Sequence, residues 1–314
     1  MVLGPAHALV LDLPTLPDAP ANVLTWLAVF ADPWPGAMVV WRSADGASFE
    51  RLAIAEAPAI VGETLDDLPS GPLWRWDRAS RVRVKLYGGA LSSAPDLAVL
   101  NGRNAAAVRN AEGLWEVLQF GEAELVAPGT YELSRLLRGQ AGSEWAIAAP
   151  LAAGAPFVLL DPQVLPIARG LGSLGRPMTL RVVAGERDHG DPSAVEIAVT
   201  PQATALKPLA PVHLSARRTG AGMQISWVRR TRIDGDGWDA GEVPLGEEGQ
   251  AYEVDILDGG DVVRTLTANA SNVLYTSADE LADFGAPQTS LNVRVAQISA
   301  TVGRGIAAEA TLNL

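Results

Sequence analysis

The chain has 314 residues, 48% hydrophobic and 19% charged, enough apolar material for more than one packed core and too much for a disordered chain. A formal net charge of −12 supplies no overall positive field to displace counterions from phosphates, which argues against a nucleic-acid partner. Cysteine is absent, which removes disulfides, thiolate nucleophiles and cysteine metal sites, and 31 glycines and 22 prolines are scattered like the turns of an all-β protein.

Taken in order, the first run, MVLGPAHALVLDL, lacks a basic leader and is interrupted by Asp12, so no secretory signal is expected. The best apolar stretch, 23–31, stops at Asp32-Pro33, short of the roughly 18–20 residues that span a bilayer. Strands are predicted at 8–13, 23–30, 38–42 and 49–54, with turns at 32–36 and 43–46. Residues 62–72 read as a polar loop. Trp74 and Trp76, two apart, are placed on one face of the strand that follows, where tryptophans fill core or, if exposed, stack on a sugar. RVRVKLY, 81–87, alternates as a half-solvated antiparallel strand. Residues 97–108 predict two short strands about Asn101-Gly102.

Gly113 to Ala146 holds the longest strand signal. An alternating run from Leu114 to Gly121 and a second from Thr130 to Leu137 flank Ala127-Pro128-Gly129, a turn in which proline fixes φ and glycine is free to take a positive one. The exit, Arg138 to Gly142, predicts a rigid corner whose Gly139 or Gly142 has positive φ. Further strands fall at 157–160, 179–183 and 194–199, and Thr200 to Pro211, with three prolines, is the best linker. Seven strand-like runs then follow, at 212–218, 223–230, 251–257, 261–268, 272–276, 290–298 and 305–312. That spacing, with Trp227 in the second run, predicts an immunoglobulin-like sandwich resembling fibronectin type III. Leu291 stands where many such domains carry a corner tyrosine, so the corner must be held another way. No segment predicts a convincing amphipathic helix, and 277–284 supports about two turns.

The candidate chemistry is sparse. Gly170, Gly172 and Gly175 spell a dinucleotide fingerprint, but Arg176-Pro177 and a strand follow where a helix is needed. Asp234, Asp236 and Asp239 resemble the start of a calcium loop, yet position twelve is Leu245, and a polar loop whose acids neutralise Arg229, Arg230 and Arg232 is the better reading. Asp188-His189-Gly190-Asp191 reads as a turn, and Glu122 and Glu124 as the solvated side of one strand rather than a glycosidase pair. No cofactor is expected, and the chain does not read as an enzyme.

Three groups of residues carry a family resemblance. Gly113 to Phe120, Ala123 to Tyr131 and Leu133 to Gln140 resemble the C-terminal region of the large tail-tip host-specificity proteins of phages and gene transfer agents, the baseplate "megatron" protein of the latter. Asp32-Pro-Trp-Pro-Gly36 with Trp41 to Gly46 is similar to the entry segment of that family, and Trp227 to Asp236 with Glu242 to Gly246 to its terminal fibronectin-like module. The resemblance implies a virion component of the tail tip or baseplate, made in the bacterial cytoplasm without a signal peptide. It implies three copies about the tail axis, other tail-tip proteins as partners, and a cell-surface receptor, in some cases a glycan. The glycosidase-resembling domain of the full-length family matches nothing in these residues.

The resulting expectation is an all-β chain: a β-rich tail-tip module over 1–147, a small β module or continuation over 148–208, and a fibronectin-like sandwich over 209–314. Its binding candidates are Trp34, Trp74, Trp76, Asp234, Asp236 and Trp238. The alternative function is a surface or secreted carbohydrate-binding β-protein that uses exposed tryptophans such as Trp34, Trp74 and Trp76.

Overall fold

The computed structural model describes residues 6–17, 19, 23–147, 151–233, 235 and 243–313. They form two compact units, Met1–Ala205 and Leu206–Leu314, and the boundary falls inside the proline-rich stretch 200–211. The chain is nearly all β.

The first unit opens with β1 (His7–Leu11), β2 (Val23–Phe30), β3 (Met38–Ser43), β4 (Glu50–Ala55), β5 (Val61–Thr64) and β6 (Val82–Leu86). A one-turn helix, α1 (Asp96–Leu100), leads to β7 (Ala105–Arg109), β8 (Trp115–Ala127) and β9 (Thr130–Gln140). Four shorter strands complete it: β10 (Pro156–Leu159), β11 (Leu165–Arg169), β12 (Met178–Ala184) and β13 (Val195–Val199).

Six of these strands close an antiparallel barrel in the order β10-β5-β6-β9-β8-β7, which removes exposed sheet edges. Leu118 and Phe120 of β8, Leu133 of β9, Val82 and Val84 of β6 and Phe157 of β10 fill it. The opposite faces of β8, β7 and β10 present Trp115, Val117, Ala107 and Val158 to Leu11, Ala28 and Phe30 of the sheet β1-β2-β11. The other side of that sheet, through Leu27, Val29 and Ile167, packs on Val40, Leu180 and Val182 of the sheet β13-β12-β3-β4. A middle sheet covered on both faces explains why β2 is a nearly unbroken apolar run, since neither side chain direction leads to water. The same logic buries the whole of Trp115–Gly121 in β8, polar members included.

Local readings hold and fail for definable reasons. Pro128-Gly129 turns the β8–β9 hairpin with Gly129 at φ +64°. β6 alternates as expected, with Val82, Val84 and Leu86 buried. Residues 62–72 are not wholly loop: 61–64 is β5, recruited because the barrel needs a partner between β10 and β6. The first of the two strands predicted in 97–108 is instead α1. Pro95 and Asp96 start it, Asn101 and Gly102 (φ +92°) stop it, and only Val99 is buried.

The second unit contains β14 (Val212–Thr219), β15 (Gly222–Val228), β16 (Tyr252–Asp258), β17 (Asp261–Ala268), β18 (Asn272–Thr276), α2 (Ser277–Phe284), β19 (Ser290–Ser299) and β20 (Gly303–Asn313). Sheets β14-β15-β18 and β17-β16-β19-β20 make a seven-stranded sandwich with the strand order of a fibronectin type III domain. Met223, Ile225, Trp227 and Tyr275 face Tyr252, Val254, Ile256, Val293 and Val295 across it. Trp227 meets Tyr252 edge-on, at 5.0 Å and 68° between rings.

Leu291 is buried in this core, and the corner before β19 is fastened by α2. Thr276 caps the helix by accepting from the Asp279 N–H at 3.1 Å, and Gly285 ends it at φ +73°. Asp283 accepts from Tyr275 Oη at 2.8 Å and from Arg264 at 2.6 and 2.8 Å. Glu280, buried, accepts from Arg218 at 2.8 and 2.9 Å and from the Gln288 N–H at 2.6 Å. These arginines hold both carboxyls below the usual carboxylate range, and burial with Asp283 alongside pushes the Tyr275 phenol upward.

Candidate binding surface

The expected pair Trp74 and Trp76 lies in the connection between β5 and β6, and the structure overturns the single strand face proposed for it. Only isolated bridges bracket the segment, Leu73 with Arg138 and Asp77 with Leu136, and no strand runs between them. With no pleat to align them, the two rings diverge. Trp74 takes φ +56°, an unusual conformation for a bulky residue, and is 71% exposed. Trp76 packs on Ala94, Val99 and Leu137, with the Arg135 guanidinium 5.4 Å from its ring. Arg135 also pairs with Asp96 at the start of α1 and reaches Glu122 at 3.6 Å.

Beneath this connection lies a buried charge network. Arg138 of β9 donates from Nε to Glu116 Oε1 at 2.5 Å and from Nη2 to Oε2 at 2.8 Å, a two-pronged pair almost wholly out of water. Its Nη1 donates to the Pro69 carbonyl at 2.9 Å, and the Gly139 N–H donates to Glu116 at 3.2 Å. Asp77 caps its own turn by accepting from the Ala79 and Ser80 N–H groups. Burial raises its pKa, but those donors and the Arg138 charge outweigh it and hold the carboxyl low. Gly71 is required here, because a Cβ would fall 2.7 Å from Asp77 Oδ2 and 3.0 Å from Arg138 Nη1. The network anchors the Trp74 segment to the hairpin. Nothing in the sequence distinguishes Glu116 and Arg138 from the other charged residues of β8 and β9, such as Glu122, Glu124, Glu132 and Arg135, so the pairing became legible only in the fold.

The corner after β9 has the backbone anticipated for it, with Gly139 at φ +61° and Gly142 at φ +83°. A Cβ on Gly139 would also come within 2.9 Å of the Glu144 Cα.

The other candidates are dispersed. Trp34 is half-buried against the core between the two packed sheets, so it offers little open ring face, and its Nε1 lacks a partner. Asp234, Asp236 and Trp238 lie outside the described residues, as does Asp239. Next to them Arg232 pairs with Glu247 at 3.1 Å, and Arg229 donates to the Val243 and Pro244 carbonyls. Among the described residues no three His, Asp or Glu side chains gather to hold a metal, and no helix is long and apolar enough to cross a membrane. Gly170 to Gly175 form a short 3-10 turn leading into β12 rather than a phosphate-binding helix. Asp188 caps a turn by accepting from the Gly190 N–H, and the His189 ring rests between Trp41 and Phe49. Glu122 accepts from Ser134 at 2.8 Å and serves the Arg135 cluster.

The fold defines an all-β protein composed of a closed barrel packed in a layered sheet unit, together with a fibronectin-type sandwich. Residues 59–158 match the family described as Rcc01698-like, C-terminal. That range coincides with the barrel, from β5 at Val61 to β10 at Leu159. The segment Gly113 to Gln140 on which the resemblance was built lies inside it, whereas the segments at 32–46 and 227–246 lie outside. No curated protein matches the chain.

Solved structures that align include the FN1-FN3 domains of chicken CNTN1, at 13% identity and TM-score 0.26 over 79% of this chain and 66% of that one. Another is the glycoside hydrolase domain of Endo-D from Streptococcus pneumoniae R6, at 11% identity and TM-score 0.20 over 82% and 36%. The chain thus spans less than two thirds of either. At those TM-scores neither alignment carries an argument, and the sandwich assignment rests on strand order.

Proposed function

We propose that the chain is a non-enzymatic structural component of a phage or gene transfer agent tail tip, contributing to recognition of and adsorption to the recipient cell. The observation that carries this reading is the coincidence of the Rcc01698-like family match with one closed structural element, the barrel over 59–158, since Rcc01698 is a gene transfer agent-associated protein. A barrel without free edges, covered over part of its outer wall by the sheet β1-β2-β11, suits a scaffold that survives outside the cell. The exposed Trp74, held out by a buried ion pair, supports a docking role, because rigid aromatic anchors on a fixed base dominate binding energy at interfaces. In the particle the chain stands as a trimer at the baseplate, beside other tail-tip proteins.

The test is incorporation. Particles purified from producing cells should contain the chain at a few copies each, with a label on it located at the tail end. A chain found only in the soluble fraction, with complete particles lacking it, would refute the reading.

A further inference from the structure

We infer that the depression between the first sheet and the tip of the β8–β9 hairpin binds a pyranose saccharide. It measures about 520 Å³, within the several-hundred-Å³ range of small-ligand sites. None of the tryptophans singled out from the sequence lines it.

One wall is aromatic. His7 of β1 stacks on Tyr87 at 4.6 Å with 32° between the rings, and Phe30 of β2 stands 6.3 Å from each. The rest of the lining includes the charged Asp32 and Lys85 together with Gly88, Gly89, Pro128 and Gly129. Both signs of charge are present. Lys85 is steadied by donating to the Pro128 carbonyl at 2.6 Å, and among the described residues the Asp32 carboxylate has no hydrogen-bond or ion-pair partner.

A pyranose has apolar C–H faces and a rim of hydroxyls that donate and accept. It therefore matches a depression lined by aromatic rings together with a free acceptor and a cation. Burial and the neighbouring Glu63 raise the Tyr87 pKa, so the phenol remains a donor at neutral pH; its present contact with Glu63, at 3.5 Å, is long and readily exchanged for a hydroxyl.

The shape depends on glycines. A Cβ at Gly88 would lie 2.5 Å from Phe30 Cε2, and one at Gly89 would lie 2.8 Å from Ile60 Cγ1, so any side chain there would push the aromatic wall or its support. Three of the ten lining residues (His7, Phe30 and Asp32) come from outside the family-matched segment, so the site is a property of this chain rather than of the barrel alone.

The test is saturation-transfer NMR on the full chain with methyl pyranosides of glucose, galactose, mannose, rhamnose, N-acetylglucosamine and glucuronic acid. At least one should receive saturation, with affinity weakened about tenfold or more by Tyr87→Ala and by Asp32→Ala, and unaffected by Trp74→Ala. His7 is exposed, so His7→Ala serves as a second variant should Tyr87→Ala disturb folding. No transfer to any of the six sugars, or transfer that survives all three pocket substitutions, would overturn the site. So would transfer lost only in Trp74→Ala. Particle incorporation is read separately and stands or falls independently of this result.

Discussion

Arg138 and Glu116 face each other across neighbouring strands of the barrel with both nitrogen–oxygen contacts at 2.8 Å or less, and both side chains are essentially sealed from water. Breaking such a pair strands a charge in the interior, which costs about 3–5 kcal/mol, whereas removing both charges together can cost little. Glu116→Ala and Arg138→Ala should each lower the denaturation midpoint strongly. Glu116→Leu combined with Arg138→Met should recover much of the loss. Urea unfolding of the four proteins measures this directly, and additive losses would contradict it.

The corner that follows makes a sharper demand on one residue. Gly139→Val places a β-branched side chain at φ +61° against the Glu144 backbone, and should destabilise by about 2 kcal/mol or more. Gly154→Ala is the control, because Gly154 also has positive φ but faces open space, and it should cost about 1 kcal/mol. Equal thermal shifts would show that crowding at the corner contributes nothing.

Trp74 should behave as a presented residue and Trp76 as a packed one. Trp74→Gly removes an exposed ring and an unfavourable φ, so stability should hold or rise by up to about 1 kcal/mol. Trp76→Ala removes the contacts with Ala94, Val99 and Leu137 and the Arg135 stack, and should cost about 2 kcal/mol or more. If recipient-cell binding is measured, Trp74→Gly should weaken it despite intact folding.

The helix α2 gives the sandwich an acid-sensitive corner. Asp283 and Glu280 titrate lower in the folded unit than in the unfolded chain, chiefly through Arg264 and Arg218, so the unfolded chain binds more protons in mild acid. The stability they contribute is complete above the ordinary carboxylate range near pH 4 and disappears as pH falls through it toward the folded values. Hydrogen exchange in 277–288 should accelerate below about pH 4 before the sandwich core does, and Asp283→Asn with Glu280→Gln should flatten that dependence.

The second unit was largely legible in the sequence because most of its strands have one wetter and one drier face, β16 with its buried run Val254–Leu257 being an exception. Leu291, Val293, Val295 and Gln297 all point inward as their alternation indicates. The first unit was harder for the opposite reason. β2 and the first half of β8 are covered on both sides, so their patterns report burial without saying which layer lies on which side. Trp74 and Trp76 misled because two-residue spacing implies a shared face only where a ladder holds the pleat, and here single bridges hold a bend. The pocket was invisible for want of locality: His7, Asp32, Tyr87 and Gly129 come from four separate stretches and meet only after the barrel and the sheet have packed. The corner glycines, by contrast, were readable, since their spacing at the end of a strand left few other backbone paths.

The most direct measurement of the central claim is cryo-electron microscopy of particles from cells producing this chain, compared with particles from cells in which residues 59–158 are deleted. The account expects density that fits the six-stranded barrel at the tail tip of the first and is missing from the second, together with loss of adsorption. Complete, adsorbing particles with identical tail tips in both preparations would contradict it.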